Sequence, residues 1–235
     1  MGVNDLPKLP RDGKKQKNYL SELRGAVCGE DLSVLMHKEF GKRDFTESFH
    51  TIPSVNLFNH VEKLLNGVKA TYDNAGVTMI LYADGCANPG KAAEDAERSS
   101  RREAKIAEFR ALQCPAEGLP NPSDKSKITQ LMKESCYMRP DILLNVKTWC
   151  VKNNVRLIGA PFETDPQEVA DETRHGITQA SSTVDSDFYA LGSNTIVDNL
   201  SHSGNSGKCN IIRRDSSFLT PKLLGMDIPA LPSLR

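Results

Sequence analysis

Acidic residues follow four predicted strands of this chain, and this repetition constrains the fold more than any other feature. Short segments at 23–29, 77–83, 155–159 and 178–183 predict the strands, and 77–83 is the clearest because it is continuously apolar. Helical patterns separate these runs, which predicts an α/β fold with a parallel central sheet covered by helices on both faces. Parallel strands place their carboxyl ends at one edge, where such sheets bind ligands. We expect the acidic residues that follow the strands to converge there: Asp31, Asp84, Glu163, Asp165, Asp185 and Asp187.

The chemistry of such a cluster predicts a metal site. Several carboxylates in one cleft repel each other, and bound divalent cations relieve that repulsion. Oxygen ligands of this kind suit Mg²⁺ or Mn²⁺. Any one aspartate after a strand is more often a turn former or a helix N-cap. The metal interpretation therefore depends on the recurrence at four strand ends.

The helices are predicted from apolar spacing and from their termination signals. Residues 54–72 have helical spacing, with Ser54 as N-cap and Gly76 at the end. Residues 91–112 contain no Gly or Pro, carry charges of alternating sign and have few large apolar side chains. Such a helix is either solvated, with ion pairs between successive turns, or faces a polar ligand. Further helices are expected at 126–137, 141–153 and 165–174.

Bulk composition limits the function only weakly. The chain has 235 residues, with 30 basic and 30 acidic side chains, so net charge does not favour a nucleic-acid partner. No apolar run is long enough for a membrane-spanning helix, and we expect no membrane partner. The six cysteines are scattered without zinc spacing. They are typical of reduced thiols in an intracellular compartment.

Six segments resemble the motifs of the flap endonuclease (XPG) family of structure-specific 5′ nucleases. In chain order they are MGVNDLPKL, AVCGEDLSVLMHK, ILYADG, KAAEDAERSSRREAK, APFETDPQEVA and STVDSDFYALGS. The resemblance covers roughly residues 1–112 and 140–200. It implies a PIN-like nuclease domain at 1–200 with a helical arch over 91–112, followed by an irregular tail at 201–235.

The resemblance implies that the chain hydrolyses DNA phosphodiester bonds with two Mg²⁺ ions, or Mn²⁺ in their place. Asp31, Asp84, Glu163, Asp165, Asp185 and Asp187 match the family's metal-binding acids. Asp84 and Glu163 would act in catalysis together with Lys91 and Arg98. Contacts to DNA are expected from Gly2, Arg98, Arg101, Arg102 and Lys105.

The same resemblance implies junctions between single-stranded and duplex DNA as substrate, a nuclear location and a role in replication or repair. A motif for a sliding-clamp partner is not evident in the sequence. Two alternatives stay open. One is a catalytically weak or inactive relative that binds nucleic acid or protein, and the other is a nuclease of the same fold that acts on RNA.

The sequence departs from the family pattern at several positions. Glu30 stands where the family has an apolar strand residue, and Asp165 stands where it has a glutamate. Cys86-Ala87-Asn88 replaces the usual Lys-Pro-Pro. Asp227 faintly matches a further metal-binding aspartate.

Overall fold

The computed structural model describes residues 18–50, 55–113, 124–185, 187–202 and 207–213. Gly2, Ser54 and Asp227, and the tail beyond residue 213, lie outside these ranges. The side chains of Arg43 and Val55 are also outside the description.

A seven-stranded mixed sheet forms the centre of the described structure. Its strands are β1 (Asn18–Tyr19), β2 (Val27–Asp31), β3 (Thr78–Ala83), β4 (Arg156–Gly159), β5 (Ala180–Ser182), β6 (Thr195–Asp198) and β7 (Lys208–Arg213). Their order across the sheet is β1-β7-β6-β5-β2-β3-β4. The five strands from β6 to β4 are parallel, whereas β7 is antiparallel to both β6 and β1. The expected α/β fold with a largely parallel sheet is confirmed.

The eight described α-helices connect and cover these strands. They are α1 (Leu32–Phe40), α2 (Arg43–His50), α3 (Val55–Ala75), α4 (Ala92–Gln113), α5 (Lys125–Glu134), α6 (Pro140–Asn153), α7 (Thr164–Thr173) and α8 (Asp187–Leu191). Gly76 ends α3 in the left-handed conformation at φ +70°, as the sequence predicted. No helix in the described ranges is both long enough and apolar enough to cross a membrane.

Helices cover both faces of the central strand β2. On one face Cys28 and Glu30 are directed towards α3, where the Tyr72 hydroxyl donates to Glu30 Oε2 at 2.6 Å. On the other face Gly29 lies against Glu168 of α7. This alternation is the period of two that any strand imposes on its side chains.

The main core lies on the α3 face. Leu57, Val61 and Leu65 of α3 pack with Leu81 of β3 and Trp149 of α6, all of them nearly or fully buried. The indole N–H of Trp149 donates to Asn66 Oδ1 at 2.9 Å, so its polar atom is satisfied at the margin of the core. A smaller cluster of Val169, Phe188 and Ile196 lies on the α7 face.

Local differences separate the sequence prediction from the structure. The first strand is Val27–Asp31 rather than 23–29, because Leu20–Leu23 form a short 3-10 helix. The tail at 201–235 was predicted to be irregular, but Lys208–Arg213 within it form β7, which extends the sheet beyond residue 200. Strand β6 (Thr195–Asp198) was not predicted either.

Candidate metal centre

The six predicted acids all follow the carboxyl ends of parallel strands, and we call this set the acidic edge: Asp31, Asp84, Glu163, Asp165, Asp185 and Asp187. Asp31 ends β2, and Asp84 comes directly after β3. Glu163 and Asp165 follow β4 at the start of α7. Asp185 and Asp187 follow β5 at the start of α8. The neighbouring strand order β5-β2-β3-β4 therefore places all of them at one edge of the sheet.

Hydrogen bonds continue from the β3–β4 ladder into the loops that carry Asp84 and Glu163. The Gly85 N–H donates to the Phe162 carbonyl at 2.7 Å, and the Cys86 N–H donates to the Pro161 carbonyl at 3.0 Å. A Cβ at Gly85 would lie 1.8 Å from the Ala160 carbonyl oxygen, so only glycine permits this approach. The Asp-Gly sequence thus holds the two acid-bearing loops side by side.

Asp84 is oriented by donors from two different helices. Ser33 Oγ of α1 donates to its Oδ2 at 2.8 Å. Thr164 of α7 donates to its Oδ1 twice, from the backbone N–H at 3.0 Å and from Oγ1 at 2.8 Å. Ser33 and Thr164 were missed at the sequence level. The available signal was their position one or two residues from a predicted ligand.

Asp31 is buried and acts as the N-cap of α1. Its Oδ1 accepts from the N–H groups of Ser33 at 2.7 Å and Val34 at 3.2 Å. The pKa of Asp31 is raised to about 7, mainly by burial; the Val34 N–H lowers it, and the carboxylates of Asp165 and Asp84 contribute to the rise. Asp31 is therefore a helix N-cap, as is common for an aspartate after a strand, and it also lies at the acidic edge.

Asp165 shows most directly that the acids have converged. Burial raises the pKa of its carboxyl group to about 6, and four neighbouring carboxylates add to the shift. In order of effect these neighbours are Asp185, Asp84, Asp187 and Glu163. Residues from three different strand ends are thus close enough to repel one another.

Asp185 and Asp187 are connected through the turn that precedes α8. The Asp185 N–H donates to Thr183 Oγ1 at 3.0 Å, and Asp185 Oδ1 accepts from the Asp187 N–H at 3.0 Å. Both side chains are partly buried. The local turn therefore fixes where the fourth strand end presents its carboxylates.

Lys91 provides positive charge beside the acids. Its Nζ lies 2.5 Å from Glu163 Oε1, and about half of each side chain is covered. The hydrogen bond with Glu163 raises the pKa of Lys91. The expected basic partner is therefore positioned at the acidic edge by one of the acids.

Arg98, Arg101, Arg102 and Lys105 lie on α4, which packs mainly against α5. Arg98 pairs with Glu94 at 2.5 Å, and Arg101 pairs with Glu97, in both cases one turn earlier on the helix. Lys105 pairs with Glu134 of α5 at 2.8 Å. Arg102 lies over the Tyr137 ring, with its guanidinium carbon 4.5 Å from the ring centroid. These contacts match the solvated-helix interpretation, in which the charges pair with each other.

A small apolar cluster, separate from the main core, joins α4 to α5. Phe109 packs with Leu131 and Met132, and Ile106, Leu112 and Ile128 surround them. Phe109 is the one buried residue among those of α4. The helix is thus anchored near its C-terminal end, and most of its remaining surface is exposed.

The donor set of the acidic edge fits a hard divalent cation in its chemistry. All six predicted ligands are carboxylates, and mutual repulsion raises the pKa of Asp31 and Asp165. Within the described ranges, however, no three acidic, histidine or cysteine side chains are arranged closely enough to enclose an ion. The acids share one edge without forming a ready-made coordination sphere.

Comparisons with known proteins agree with this fold. The search against family models found no match. Exodeoxyribonuclease 1 of Saccharomyces cerevisiae is 29% identical over 147 residues, which cover 62% of this chain and 19% of that protein. The chain thus spans about a fifth of the length of its curated relative.

Two solved structures have the same fold. The catalytic core of Rad2 in complex with DNA substrate superposes with a TM-score of 0.55 at 17% identity, covering 90% of this chain and 54% of that one. Human GEN1 in complex with Holliday junction DNA gives a TM-score of 0.52 at 15% identity, covering 96% of this chain and 46% of that one. The chain is therefore similar in sequence to Exodeoxyribonuclease 1 and similar in fold to Rad2 and GEN1, in agreement with the resemblance of its motifs to the flap endonuclease (XPG) family.

Proposed function

We propose that this chain is a divalent-cation-dependent nuclease that hydrolyses DNA phosphodiester bonds near junctions of single-stranded and duplex DNA. The observation that carries the proposal is the placement of acids from four strand ends at one edge of the parallel sheet. The similarity to a curated exodeoxyribonuclease supports the same chemistry. By the same family resemblance we propose a nuclear role in replication or repair, and a nuclease domain that includes residues 18–200.

The acids of this edge would hold Mg²⁺ or Mn²⁺. Asp84, Glu163, Asp165, Asp185 and Asp187 would supply most of the oxygen ligands, and buried Asp31 would support them from β2. A cation bound there would acidify a water molecule and neutralise charge on the phosphate.

The chain's own residues would then orient and stabilise the reacting groups. Ser33 and Thr164 keep the Asp84 carboxylate in one orientation, which limits the reorganisation needed when a phosphate binds. Lys91, beside Glu163, would present an ammonium group to the developing charge on phosphorus. Arg98 lies two turns further along the same helical segment and would act similarly if it left Glu94.

The remaining basic residues of α4 are proposed DNA contacts. Arg101, Arg102 and Lys105 would meet the phosphate backbone, although Arg101 and Lys105 first have to exchange an internal carboxylate for a phosphate. We expect their contribution to affinity to be modest for that reason. Gly2 stays a prediction, because it lies outside the described residues.

Cleavage of an end-labelled 5′-flap DNA, with Mg²⁺ and with EDTA, tests the proposal. We expect cleavage with Mg²⁺, none with EDTA, and none from Asp185→Ala. Asp185→Asn should be equally inactive while keeping the turn that caps α8. Asp73→Ala is the matched control, since Asp73 lies on α3 and pairs with Lys69, remote from the acidic edge.

The outcomes separate the open alternatives. Flap binding without cleavage would support an inactive relative and overturn the proposal. Preferential cleavage of the equivalent RNA would support an RNA-directed nuclease. Cleavage that persists in Asp185→Ala would show that the acidic edge is not the active site.

A further inference from the structure

Phe162 is an exposed aromatic residue beside the acidic edge. It is 48% exposed, whereas the other phenylalanines in the described ranges are buried or partly buried. Within those ranges its side chain belongs to none of the apolar clusters that hold the sheet and helices together. A single exposed apolar side chain is common on protein surfaces, so the meaning of this one depends on its position.

Backbone contacts hold Phe162 at a fixed place in the loop between β4 and α7. Its carbonyl accepts from the Gly85 N–H at 2.7 Å, which connects this loop to the end of β3. The next residue, Glu163, has an extended backbone, and its carboxylate lies 2.5 Å from Lys91 Nζ. Phe162 is therefore joined directly to a proposed metal ligand, and that ligand holds the ammonium group proposed to face the phosphate.

The opposite flank of the acidic edge carries an aliphatic side chain at the corresponding position. Val184, exposed to 49%, directly precedes Asp185 after β5, as Phe162 directly precedes Glu163 after β4. Strands β2 and β3 lie between β5 and β4, so the two flanks are three strand spacings apart, about 14 Å. Side chains at that separation do not form one apolar patch, and of these two residues Phe162 alone has an aromatic face.

The chemistry of a nucleic-acid strand matches the groups on the β4 flank. Proteins hold single strands with cationic side chains that contact phosphates and aromatic rings on which bases stack. A base can stack on a protein ring only where it is unpaired, as on the single-stranded side of a junction. An aromatic residue next to the site proposed for the phosphate is therefore suited to the base of an adjoining nucleotide.

We propose that Phe162 stacks on an unpaired base next to the phosphate at the acidic edge, and so selects single-stranded nucleotides for cleavage. The inference rests on the proposed function and adds a substrate-positioning residue to it. The ring would hold the base while the acids and Lys91 act on the phosphate. A strand held in this way presents the phosphate in one register, which favours the reaction.

Removing the base from the DNA tests the contact directly. Two 5′-flap substrates each carry an abasic residue, at the first or the second unpaired nucleotide from the junction. Single-turnover cleavage with Mg²⁺, at protein concentrations below saturation, gives the rates. On the intact flap we expect Phe162→Ala to be roughly 5- to 20-fold slower than the wild type, near the lower end of the range for one stacked base. On one of the abasic flaps the two proteins should cleave at equal rates, because no base remains to stack.

Conservative variants separate stacking from apolar bulk. Phe162→Tyr keeps the ring and should cleave the intact flap as the wild type does. Phe162→Leu keeps an apolar side chain without an aromatic face and should resemble Phe162→Ala. Val151→Ala is the matched control, because Val151 is 85% exposed on α6 and lies near the amino end of β4, opposite the acidic edge. Thermal melting checks the folding of all four variants, which should melt as the wild type does.

The outcomes distinguish stacking from a structural role. Equal rates for the wild type and Phe162→Ala on the intact flap would overturn the inference. A loss in Phe162→Ala that is the same on intact and abasic flaps would also overturn it, because that pattern indicates a structural role. In both cases cleavage by the wild type leaves the proposed function standing. If the wild type cleaves neither the intact nor the abasic flaps, the proposed function and the inference fail together.

Discussion

The acidic edge and helix α4 are both rich in charge, but they compensate it in opposite ways. At the edge, Asp165 has carboxylates as its charged neighbours; burial raises its pKa most, and these carboxylates add to the rise. On α4, Arg98 and Arg101 each pair with a glutamate one turn earlier. The helix therefore pairs its charges internally, whereas the proposed function assigns a cation from outside the chain to the acids of the edge. Charge without an internal partner is for this reason the better guide to the proposed site than the density of charge.

Neutralising an acid that the structure holds in place should give the largest effect. We expect Asp84→Asn to lower Mg²⁺-dependent flap cleavage by more than about 100-fold, because losing one group that stabilises transition-state charge costs roughly 10²- to 10³-fold. The amide oxygen can still accept from Thr164, and the amide NH2 can donate to the Ser33 hydroxyl oxygen, so the fold should persist. Single-turnover cleavage measures the effect, with Asp73→Asn as control. If Asp84→Asn cleaved the flap at the wild-type rate, the acidic edge would be no more important for cleavage than α4.

The pH dependence of stability without metal tests whether the edge charges repel. The pKa values of Asp31 and Asp165 are raised to about 7 and about 6, so folding favours their protonated forms. Their contribution to stability is complete below the unfolded-state pKa of about 4 and is lost as pH rises through about 6 to 7. Urea unfolding in EDTA should therefore show a loss on the order of 2 kcal/mol between pH 5 and pH 8.

Asp31→Asn isolates this contribution, because asparagine preserves the N-cap of α1. Desolvation lowers the pKa values of His37, His50 and His202; these shifts act in the opposite direction and cancel in the difference between variant and wild type. Mg²⁺ at pH 8 should restore much of the lost wild-type stability. If the free energy of unfolding depended on pH in the same way for the wild type and for Asp31→Asn, the raised pKa of Asp31 would not affect stability.

Lys91 lies at the boundary between the two regions and should have a smaller effect. Lys91→Gln removes the ion pair with Glu163, and we expect about a tenfold lower cleavage rate, because the ammonium would no longer face the phosphate. The pair is partly exposed, so the free energy of unfolding should change by no more than about 1 kcal/mol. Parallel cleavage and urea-unfolding measurements separate the two effects. If the lower cleavage rate came with a loss of unfolding free energy well above about 1 kcal/mol, Lys91 would have a structural role.

Arg101 should show the smallest effect of all. Arg101→Gln breaks an exposed pair on α4, and the free energy of unfolding should change by less than about 0.5 kcal/mol. If Arg101 contacts phosphate, the salt dependence of flap binding should become slightly less steep. Fluorescence anisotropy at several salt concentrations measures this salt dependence. Glu97→Gln is the paired variant, because it removes the carboxylate with which Arg101 pairs. A large stability loss in Arg101→Gln would mean that α4 depends on its surface charges.

The α/β class was predictable because strand-like segments alternate with helical patterns along the chain and the helices have clear termination signals. β3 was predicted almost to the residue, since 77–83 is continuously apolar and ends at Asp-Gly. β7 was not predicted, because Lys208–Arg213 mixes polar and apolar residues and gains its strand form from pairing with β6. β2 was shifted because Glu30 and Asp31 are polar residues inside a buried strand.

The site was predictable only as a set of positions. Strand ends and family motifs predicted that all six acids lie at one edge, but they did not predict how each carboxylate is oriented. The donors that fix Asp84, namely Ser33 and Thr164, come from helices whose packing no local pattern encodes.

The central position of β2 has a consequence for how the protein assembles during synthesis. β2 pairs with β3 early in the chain, but the Val27 N–H also donates to Gln179 Oε1, 152 residues later. Such distant partners meet late, because long loops must close first. A nascent chain can thus bring Asp31 and Asp84 together well before Asp185 exists. We expect ion capture to await the docking of β5, so that the rate of Mn²⁺ uptake during refolding reports the last stage of sheet formation.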